Sequence, residues 1–141
     1  MAAFNVLTSA EVANHEILSL YDSVGWIAYT NDPDLLFRAI SNSSFVVTAH
    51  NGTGQLIGLA RAISDDSTIC YLQDILVRPE FQNTGVGRAL IDHVQQRYHH
   101  VRQTVLITDD EPKQRAFYQS LGMVEGSNVI PNAVRVFVHF R

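Results

Sequence analysis

Cysteine, long apolar runs and excess positive charge are the three features of which this sequence has little. The 141-residue chain contains a single cysteine, Cys70, which excludes an internal disulfide and a cysteine-built zinc module. No stretch approaches the roughly 18 consecutive apolar residues that cross a bilayer. The first residues also lack the basic start and apolar core of a secretory signal. We therefore expect no membrane partner and a location in the cytoplasm.

The charge balance and composition narrow the class of protein further. Ten Lys and Arg residues against 14 Asp and Glu residues give a formal net charge of −4. Nucleic-acid binders need a basic face that neutralises phosphates, so we expect no nucleic-acid partner. With 46% hydrophobic and 17% charged residues, the composition is that of a globular protein with a core. The length fits one domain over residues 1–141.

The order of sequence patterns predicts a mixed α/β fold. Two early helices are expected, one from a Thr8–Glu11 capping box and one from Asp32-Pro33. Three strands then form an antiparallel meander, and a strand–helix–strand crossover over 68–108 places two parallel strands side by side. A final helix from Pro112 is followed by an alternating strand over 134–140, which should close the sheet at its edge. The remaining expected ranges are strands at 45–50, 55–63, 68–77 and 105–108 and helices at 85–100 and 112–122.

The most informative segment is the loop that follows the third strand of the meander. It reads Gln82-Asn83-Thr84-Gly85-Val86-Gly87-Arg88 and leads into a helix. The two glycines permit a tight turn with bare amides, and a helix start adds unsatisfied N–H groups at the positive end of its dipole. Arg88 opposes that dipole, a conflict that a bound anion relieves. The segment therefore indicates a phosphate or pyrophosphate site, with a turn that merely starts a helix as the alternative.

Two other phosphate-binding motifs compete with this interpretation. Gly85 and Gly87 could form half of a dinucleotide fingerprint, with Asp109 as the acid that binds the ribose. However, Leu90 occupies the third glycine position, and residues 78–84 separate the strand from the first glycine. The chain is also too short for two mononucleotide-binding halves. A Walker loop is excluded because no Gly-Lys-Ser/Thr follows.

Two motifs resemble the GNAT superfamily of N-acetyltransferases. Gln82-x-x-Gly85-x-Gly87 after Val77-x-Pro79 is similar to the family's acyl-CoA signature, Gln/Arg-x-x-Gly-x-Gly/Ala. Phe117-Tyr118 shortly before Gly122 is similar to a second landmark of the family. The resemblance extends from about residue 4 to about residue 140. It implies a mixed, mostly antiparallel sheet with a central parallel, splayed strand pair and flanking helices.

The resemblance also implies acetyl-CoA or CoA as co-substrate and a role for each motif. The loop amides of 82–88 would wrap the pyrophosphate, while the strand Ile75-Leu76-Val77 would pair its backbone with the pantetheine arm. One backbone N–H there would serve as oxyanion donor to the thioester carbonyl. Tyr118 would lie near the sulfur and protonate the leaving thiolate. Glu111 departs from the family, because many members have an Asn there that contacts the pantetheine arm.

Asp74 is the candidate base or anchor for an amine substrate. Its apolar neighbours in the strand favour partial burial, which would make its carboxylate a more effective base. The alternatives are that Asp74 holds the substrate electrostatically or pairs with Arg61 on the neighbouring strand. The Asp74-x-Leu76-Val77 run and the segment 58–62 are similar to serotonin N-acetyltransferase-like members of plastids and bacteria.

The remaining candidate residues have less specific signals. Trp26 and Tyr29 flank the break between the early helices and could line an aromatic substrate pocket, although aromatic residues there also fill cores. Cys70 lies in the middle of a strand with no histidine at a telling position, which predicts a buried structural thiol. His99 and His100 are helix neighbours that point apart, so no metal site is expected.

These patterns together predict an acetyl-CoA-dependent N-acetyltransferase that transfers acetyl directly to a primary amine, most simply of a small molecule. A module of the same fold that binds acyl-CoA without catalysis is the alternative. Aralkylamines and polyamines both fit as acceptors, and a protein N-terminus or lysine fits less well. The expected edge strand ending at Arg141 also offers a surface on which two copies could pair as a homodimer.

Overall fold

The computed structural model describes residues 3–141 of the chain. These residues fall into two compact units, one ending at Ile107 and one beginning at Thr108. We describe each unit by itself, so a single domain over 1–141 stays a prediction. The first unit contains the strands β1 (Phe4–Leu7), β2 (Phe45–Asn51), β3 (Leu56–Ser64), β4 (Ile69–Val77) and β5 (Gln103–Leu106), together with the helices α1 (Asn14–Ser23), α2 (Ile27–Thr30), α3 (Pro33–Ser41) and α4 (Val86–Arg97). The second unit contains α5 (Pro112–Ser120), and short 3₁₀ turns occur at Pro79–Phe81 and Gly126–Asn128.

The sheet has five strands in the order β1-β2-β3-β4-β5. The first four strands pair antiparallel with their neighbours, and β4 pairs parallel with β5 from Ile69↔Gln103 to Leu72↔Leu106. A mixed, mostly antiparallel sheet with one parallel pair and flanking helices is therefore confirmed. The parallel pair lies at the edge of the described sheet rather than in its centre, because the strand expected to follow β5 is not formed.

Helices cover the two faces of the sheet, and one glycine allows one of them to approach closely. Leu20 and Tyr21 of α1 belong to a buried cluster that includes Leu59 and Leu76 of the sheet. A Cβ atom on Gly58 of β3 would lie 3.1 Å from side-chain atoms of both Leu90 and Val86 in α4. The missing side chain at Gly58 therefore lets α4 lie directly on the sheet.

The start of α1 differs from the prediction. The helix begins at Asn14 after Ala13, which makes no side-chain capping bond, so the predicted Thr8–Glu11 capping box is wrong. Strand β1 ends at Leu7, paired with Thr48, and residues 8–13 between it and α1 form neither helix nor strand. In contrast, the start of α3 is confirmed, because Asp32 Oδ1 accepts a hydrogen bond of 3.3 Å from the Leu35 N–H.

The predicted closing strand over 134–140 is also wrong. The structure assigns no strand or helix to residues 129–141, and the described sheet ends at β5. Phe137 and Phe140 are 88% and 83% exposed. Alternation of apolar residues produces a strand only where a neighbouring strand completes the hydrogen-bonded ladder, and the pattern itself cannot supply that neighbour.

Candidate functional site

A gap in strand pairing opens along the C-terminal part of β4. Parallel pairing with β5 ends at Leu72↔Leu106, whereas β4 continues to Val77 and stays paired with β3 on its other side. The segment 73–77 therefore has no strand partner on its β5 side among residues 3–141. An exposed edge of this kind can accept an extended ligand through backbone hydrogen bonds. The predicted donor-binding residues Ile75, Leu76 and Val77 all lie in this segment.

The gap leads directly into the predicted anion-binding loop. Gln82 Nε2 donates a 3.0 Å hydrogen bond to the carbonyl of Val77 and so ties the loop back to the end of β4. Asn83 and Gly85 both have a positive φ, at 62° and 94°. A Cβ on Gly85 would meet nothing within 4 Å, so glycine is favoured there by the backbone conformation rather than by lack of space.

The loop ends at the start of α4 without a side-chain cap. Gly85 is the N-cap residue and has no side chain to bond the first amides of the helix. The N–H groups at the start of the helix, at Val86 and Gly87, have no acceptor within a helix by its geometry. Together with the helix dipole they suit a phosphate group. The residues present therefore fit the acyl-CoA site that the sequence predicts, from the unpaired segment 73–77 to the helix start.

A buried ion pair lies beside the unpaired segment of β4. Arg61 and Asp74 face each other across β3 and β4, and Arg61 Nε lies 2.6 Å from Asp74 Oδ2. Tyr21 donates a 3.0 Å hydrogen bond to the same oxygen, and Tyr29 donates a 2.9 Å bond to Oδ1. Asp74 is only 4% exposed. Three hydrogen-bond donors, one of them the Arg61 cation, thus surround the carboxylate.

A β-bulge sets this arrangement. Arg61 pairs with Asp74 while Ala62 pairs with Leu72, so Gln73 has no partner on β3. Bulges often occur beside functional sites, where they change the direction of a side chain. Gln73 is exposed, and its Nε2 lies 3.4 Å from the Tyr29 hydroxyl oxygen as a donor.

The ion pair shifts the pKa values of its neighbours. Burial lowers the pKa of Arg61, but its hydrogen bond and charge interaction with Asp74 outweigh this effect and raise the pKa overall. Burial raises the pKa of Tyr21, and the nearby charge of Asp74 raises it further. The pKa of Tyr29 is raised for the same two reasons, burial first. Both tyrosines are therefore neutral hydrogen-bond donors, and Arg61 stays charged.

The aromatic residues predicted near the substrate lie together with this cluster. The rings of Tyr21 and Tyr29 have centroids 5.1 Å apart, and Trp26 lies 5.9 Å from Tyr21. Trp26 and Tyr29 are both half-buried, and both pack against the core cluster. Sequence reasoning missed Tyr21 and Gln73 as neighbours of Asp74. The usable signal for Tyr21 was its position in the apolar stripe of α1, since a buried tyrosine hydroxyl needs a partner.

Tyr118 belongs to the second unit, in α5. Its side chain is 9% exposed. Burial raises the pKa of Tyr118 to about 12, against the opposite effect of a hydrogen bond with the Thr108 side chain. The phenol is therefore protonated at neutral pH and is able to donate a proton. Glu111 is the N-cap residue of α5 and makes no side-chain capping bond.

Other features of the structure do not join the predicted site. A cavity of about 290 Å³ lies between α1, α3 and β2, and none of the predicted site residues lines it. Cys70 is buried and unpaired with another cysteine. Within residues 3–141, no cluster of His, Cys, Asp or Glu is arranged to hold a metal ion. No helix in the same range is long and apolar enough to cross a membrane.

The unpaired segment 73–77, the glycine loop and the uncapped helix start together fit the donor site of an acyl-CoA-dependent transferase. The family model for the acetyltransferase (GNAT) domain matches residues 25–140. The chain therefore belongs to the GNAT acetyltransferase-domain family, and acetyl-CoA is the co-substrate typical of that family.

Individual proteins with similar sequences or folds agree with this assignment. An uncharacterized N-acetyltransferase, ycf52, from Gracilaria tenuistipitata var. liui is 33% identical over 116 residues, which is 78% of this chain and 61% of that protein. A GNAT-family acetyltransferase from Streptococcus pneumoniae TIGR4 superposes with a TM-score of 0.80 at 24% identity, covering 99% of this chain and all of that one. The aminoglycoside N-acetyltransferase AAC(6')-Iy, solved in complex with CoA, superposes with a TM-score of 0.69 at 19% identity, covering 100% of this chain and 96% of that one.

The chain spans only part of the curated relatives that it matches. It covers 64% and 61% of the ycf52 proteins of Pyropia yezoensis and Gracilaria. At identities below 25%, the solved structures establish the fold alone. The reaction, its acceptor and the roles of individual residues are therefore taken up below as proposals.

Proposed function

We propose that this protein is an acetyl-CoA-dependent N-acetyltransferase that transfers the acetyl group directly to a primary amine of a small molecule. The observation that carries the proposal is the unpaired β5 side of segment 73–77, which continues into an uncapped helix start. An extended pantetheine arm matches the first feature, and a pyrophosphate matches the second. Family membership supports the same donor.

The reaction needs three things from the protein: a polarised thioester carbonyl, a neutral amine and a proton for the leaving thiolate. The amine nitrogen attacks the carbonyl carbon, a C–N bond forms, and the C–S bond breaks as the tetrahedral intermediate collapses. A backbone N–H of Ile75–Val77 would stabilise the oxyanion. Tyr118 would donate its proton to the thiolate sulfur, and its raised pKa of about 12 keeps that proton available. The excess proton of the amine leaves to a base or to water.

For Asp74, the geometry supports the role of electrostatic anchor over that of general base. Both carboxylate oxygens are occupied by donors, and one of these donors is the Arg61 cation at 2.6 Å. Protonation of Asp74 would leave that buried cation unpaired, which is costly. In this proposal Asp74 holds Arg61 and Tyr29 in place. Half-buried Tyr29 is the most accessible to solvent of the three donors that bond Asp74.

The acceptor is proposed only as a class. Half-buried Trp26 and Tyr29 offer an aromatic surface to an aralkylamine, and the net charge of −4 favours any cationic amine, including a polyamine. A location in the cytoplasm and assembly into a homodimer remain predictions.

The experiment is a thiol-release assay with acetyl-CoA and a panel of amines, run beside thermal melting. The panel contains 2-phenylethylamine, tryptamine, spermidine, a lysine-containing peptide and a peptide with a free N-terminus. We expect acetyl-CoA to raise the melting temperature, because saturation at about 100 times Kd adds about 2.7 kcal/mol of stability. We also expect amine-dependent thiol release with at least one small amine.

The outcomes separate the alternatives. Stabilisation by acetyl-CoA with no turnover on any amine would refute the enzyme and favour an acyl-CoA-sensing module. A higher melting temperature with NADH, but with neither acetyl-CoA nor CoA, would favour the interpretation of the loop as a dinucleotide-binding motif. Turnover only with peptides would replace the small-molecule acceptor by a protein.

A further inference from the structure

Gln73 is the residue at which β4 loses its neighbours on both sides in the described sheet. The bulge between Leu72 and Asp74 leaves it without a partner on β3, and parallel pairing with β5 ends one residue earlier, at Leu72↔Leu106. Gln73 is also exposed, whereas Leu72 and Asp74 on either side of it are buried. An exposed polar side chain therefore lies at the first position of the unpaired segment 73–77.

The side chain of Gln73 lies on the face of the sheet that carries α1 and α2. Its Nε2 donates a 3.4 Å hydrogen bond to the Tyr29 hydroxyl of α2. The opposite face is covered by α4, which packs against both β3 and β4. Gly58, which pairs with Val77, would place a Cβ only 3.1 Å from Val86 of that helix. A small molecule therefore has its open approach to this part of β4 from the side of α1 and α2, where Gln73 is exposed.

The hydrogen bonds of the buried cluster fix which end of the Gln73 amide faces Tyr29. The Tyr29 hydroxyl has one proton, and it donates that proton to Asp74 Oδ1 at 2.9 Å. Arg61 Nη2 donates to the same hydroxyl at 3.0 Å, so the hydroxyl can offer Gln73 only a lone pair. The amide therefore turns its Nε2 donor toward Tyr29, and Oε1 on the other side of the amide faces away from it.

Oε1 of Gln73 is the hydrogen-bond acceptor that this cluster leaves open. No donor within residues 3–141 bonds it, whereas both oxygens of Asp74 and the Tyr29 hydroxyl are engaged. A primary amine in its nucleophilic form carries two N–H donors and one lone pair. An acceptor for one of those N–H groups restricts the direction in which the lone pair points.

The neutrality of the amide matters for this chemistry. A carboxylate at the same position would stabilise the ammonium form and raise the pKa of the amine, which removes the lone pair that attacks the thioester. The Gln73 carbonyl accepts an N–H without a formal charge, so it orients the amine without that effect. The carboxylate of Asp74, next in the chain, is paired with Arg61 at 2.6 Å.

We propose that Gln73 binds the amine substrate, with Oε1 accepting one N–H and directing the nitrogen lone pair toward the thioester carbonyl held along residues 75–77. The inference rests on the proposed function and deepens it. Gln73 and Ile75 are two positions apart, about 7 Å along a strand, a distance that a glutamine side chain and a bound amine can span. Tyr29 and the pair of Arg61 and Asp74 are positioning residues, since they hold the amide in the orientation that exposes Oε1.

The test compares the steady-state kinetics of Gln73→Met and the wild type, with acetyl-CoA and the five amines of the panel above. Methionine keeps the length of the side chain and lacks the acceptor. We expect kcat/KM for the amine to fall about tenfold, as for the loss of one well-placed neutral hydrogen bond. The dissociation constant of coenzyme A, from titration into the ¹⁵N-labelled full chain, should stay within about twofold, because the donor site is untouched.

Gln73→Glu is the second variant, because it keeps an acceptor and adds the charge that the amide avoids. We expect the rise of its kcat with pH to move upward by about one pH unit, since the introduced carboxylate stabilises the bound ammonium ion. The surrounding groups do not produce such a shift. Arg61 is paired with Asp74, and burial raises the pKa values of Tyr21, Tyr29 and Tyr71, so these tyrosines stay neutral up to about pH 9.

Gln103 supplies the matched control. It is an exposed glutamine on β5, paired with Ile69 at the opposite end of the parallel pair. We expect Gln103→Met to keep kcat/KM for the amine within about twofold of the wild type. Gln103→Glu should leave the pH dependence of kcat unchanged.

Three outcomes would overturn the proposal. Equal kcat/KM of Gln73→Met and the wild type, with every amine that the wild type acetylates, would refute the contact and leave the proposed function intact. Weaker binding of coenzyme A in Gln73→Met, or a loss in Gln73→Glu that does not depend on pH, would reduce Gln73 to a support of the strand. Failure of the wild type to acetylate any of the five amines would refute the proposed function, and this inference with it.

Discussion

Removing the cation of the buried pair at the site should destabilise the protein more than the loss of one hydrogen bond would. In Arg61→Met, Asp74 stays buried, at 4% exposure in the wild type, but its carboxylate loses the guanidinium that lies 2.6 Å away. Breaking a buried pair by deleting one member costs about 3–5 kcal/mol. Tyr21 and Tyr29 still donate to the carboxylate, which places the expected loss near the lower end of that range.

The magnitude is measured by urea unfolding at neutral pH, with Asp74→Asn and the double variant completing a double-mutant cycle. We expect the double variant to be more stable than Arg61→Met, because it removes the uncompensated charge. The coupling between the two positions should be on the order of 1–3 kcal/mol.

Two results would refute this reasoning. A loss in Arg61→Met below about 1 kcal/mol at neutral pH would mean that the pair acts like an exposed salt bridge, despite its burial. Additive effects of the two single substitutions would mean that Arg61 and Asp74 do not interact energetically. An unchanged denaturant slope m is required for either interpretation, since a changed m signals an altered unfolded or native state.

Three further predictions follow from the site and its supports. Tyr118→Phe should lower kcat far more than it raises the KM for acetyl-CoA, and an unchanged kcat in steady-state assays would remove Tyr118 from the role of acid. Gly58→Ala places a Cβ 3.1 Å from two side chains of α4 and should lower the free energy of unfolding in urea by about 1–3 kcal/mol. The control Gly52→Ala, whose Cβ meets nothing within 4 Å, should change that free energy by less than about 0.5 kcal/mol. Equal effects of the two substitutions would contradict the close approach of α4. Gly85→Ala and Gly54→Ala, at positions with φ of 94° and 86°, should each lower the free energy of unfolding by about 1 kcal/mol. Only Gly85→Ala should weaken the binding of coenzyme A in an NMR titration. Weaker binding in both variants would argue against a specific role of the loop.

The conformation of the glycine loop and the start of α4 could be predicted from the sequence because their signals are local. Gly85 adopts the positive φ that its motif predicts, and α4 begins one residue later. All three strands of the meander were likewise visible as short apolar runs bounded by turn residues. Local signals failed where a distant segment decided the outcome. The helix predicted from the Thr8–Glu11 motif begins only at Asn14, and the alternating tail at 134–140 did not form a strand.

The cluster around Asp74 shows the opposite case. Its members come from α1, α2, β3 and β4, and Tyr21 lies 53 positions away from Asp74 in the chain. Sequence reasoning named Arg61 as one alternative partner of Asp74 but could not choose it over a substrate amine. The choice depends on strand register, which places Arg61 opposite Asp74 and leaves Gln73 in a bulge.

The amino-acid sequence alone predicted a mixed α/β fold and an anion-binding loop, since glycines, turn residues and apolar periodicity act on neighbours within a few positions, and the resemblance of two motifs indicated the family. The loop 82–88 and its helix start are therefore legible without a structure. Only the tertiary structure decided which charges are compensated. Register and helix packing give Arg61 a carboxylate and leave Arg78 with neutral acceptors. Such differences depend on distances between segments far apart in the chain, and electrostatic energies in a desolvated interior vary steeply with those distances.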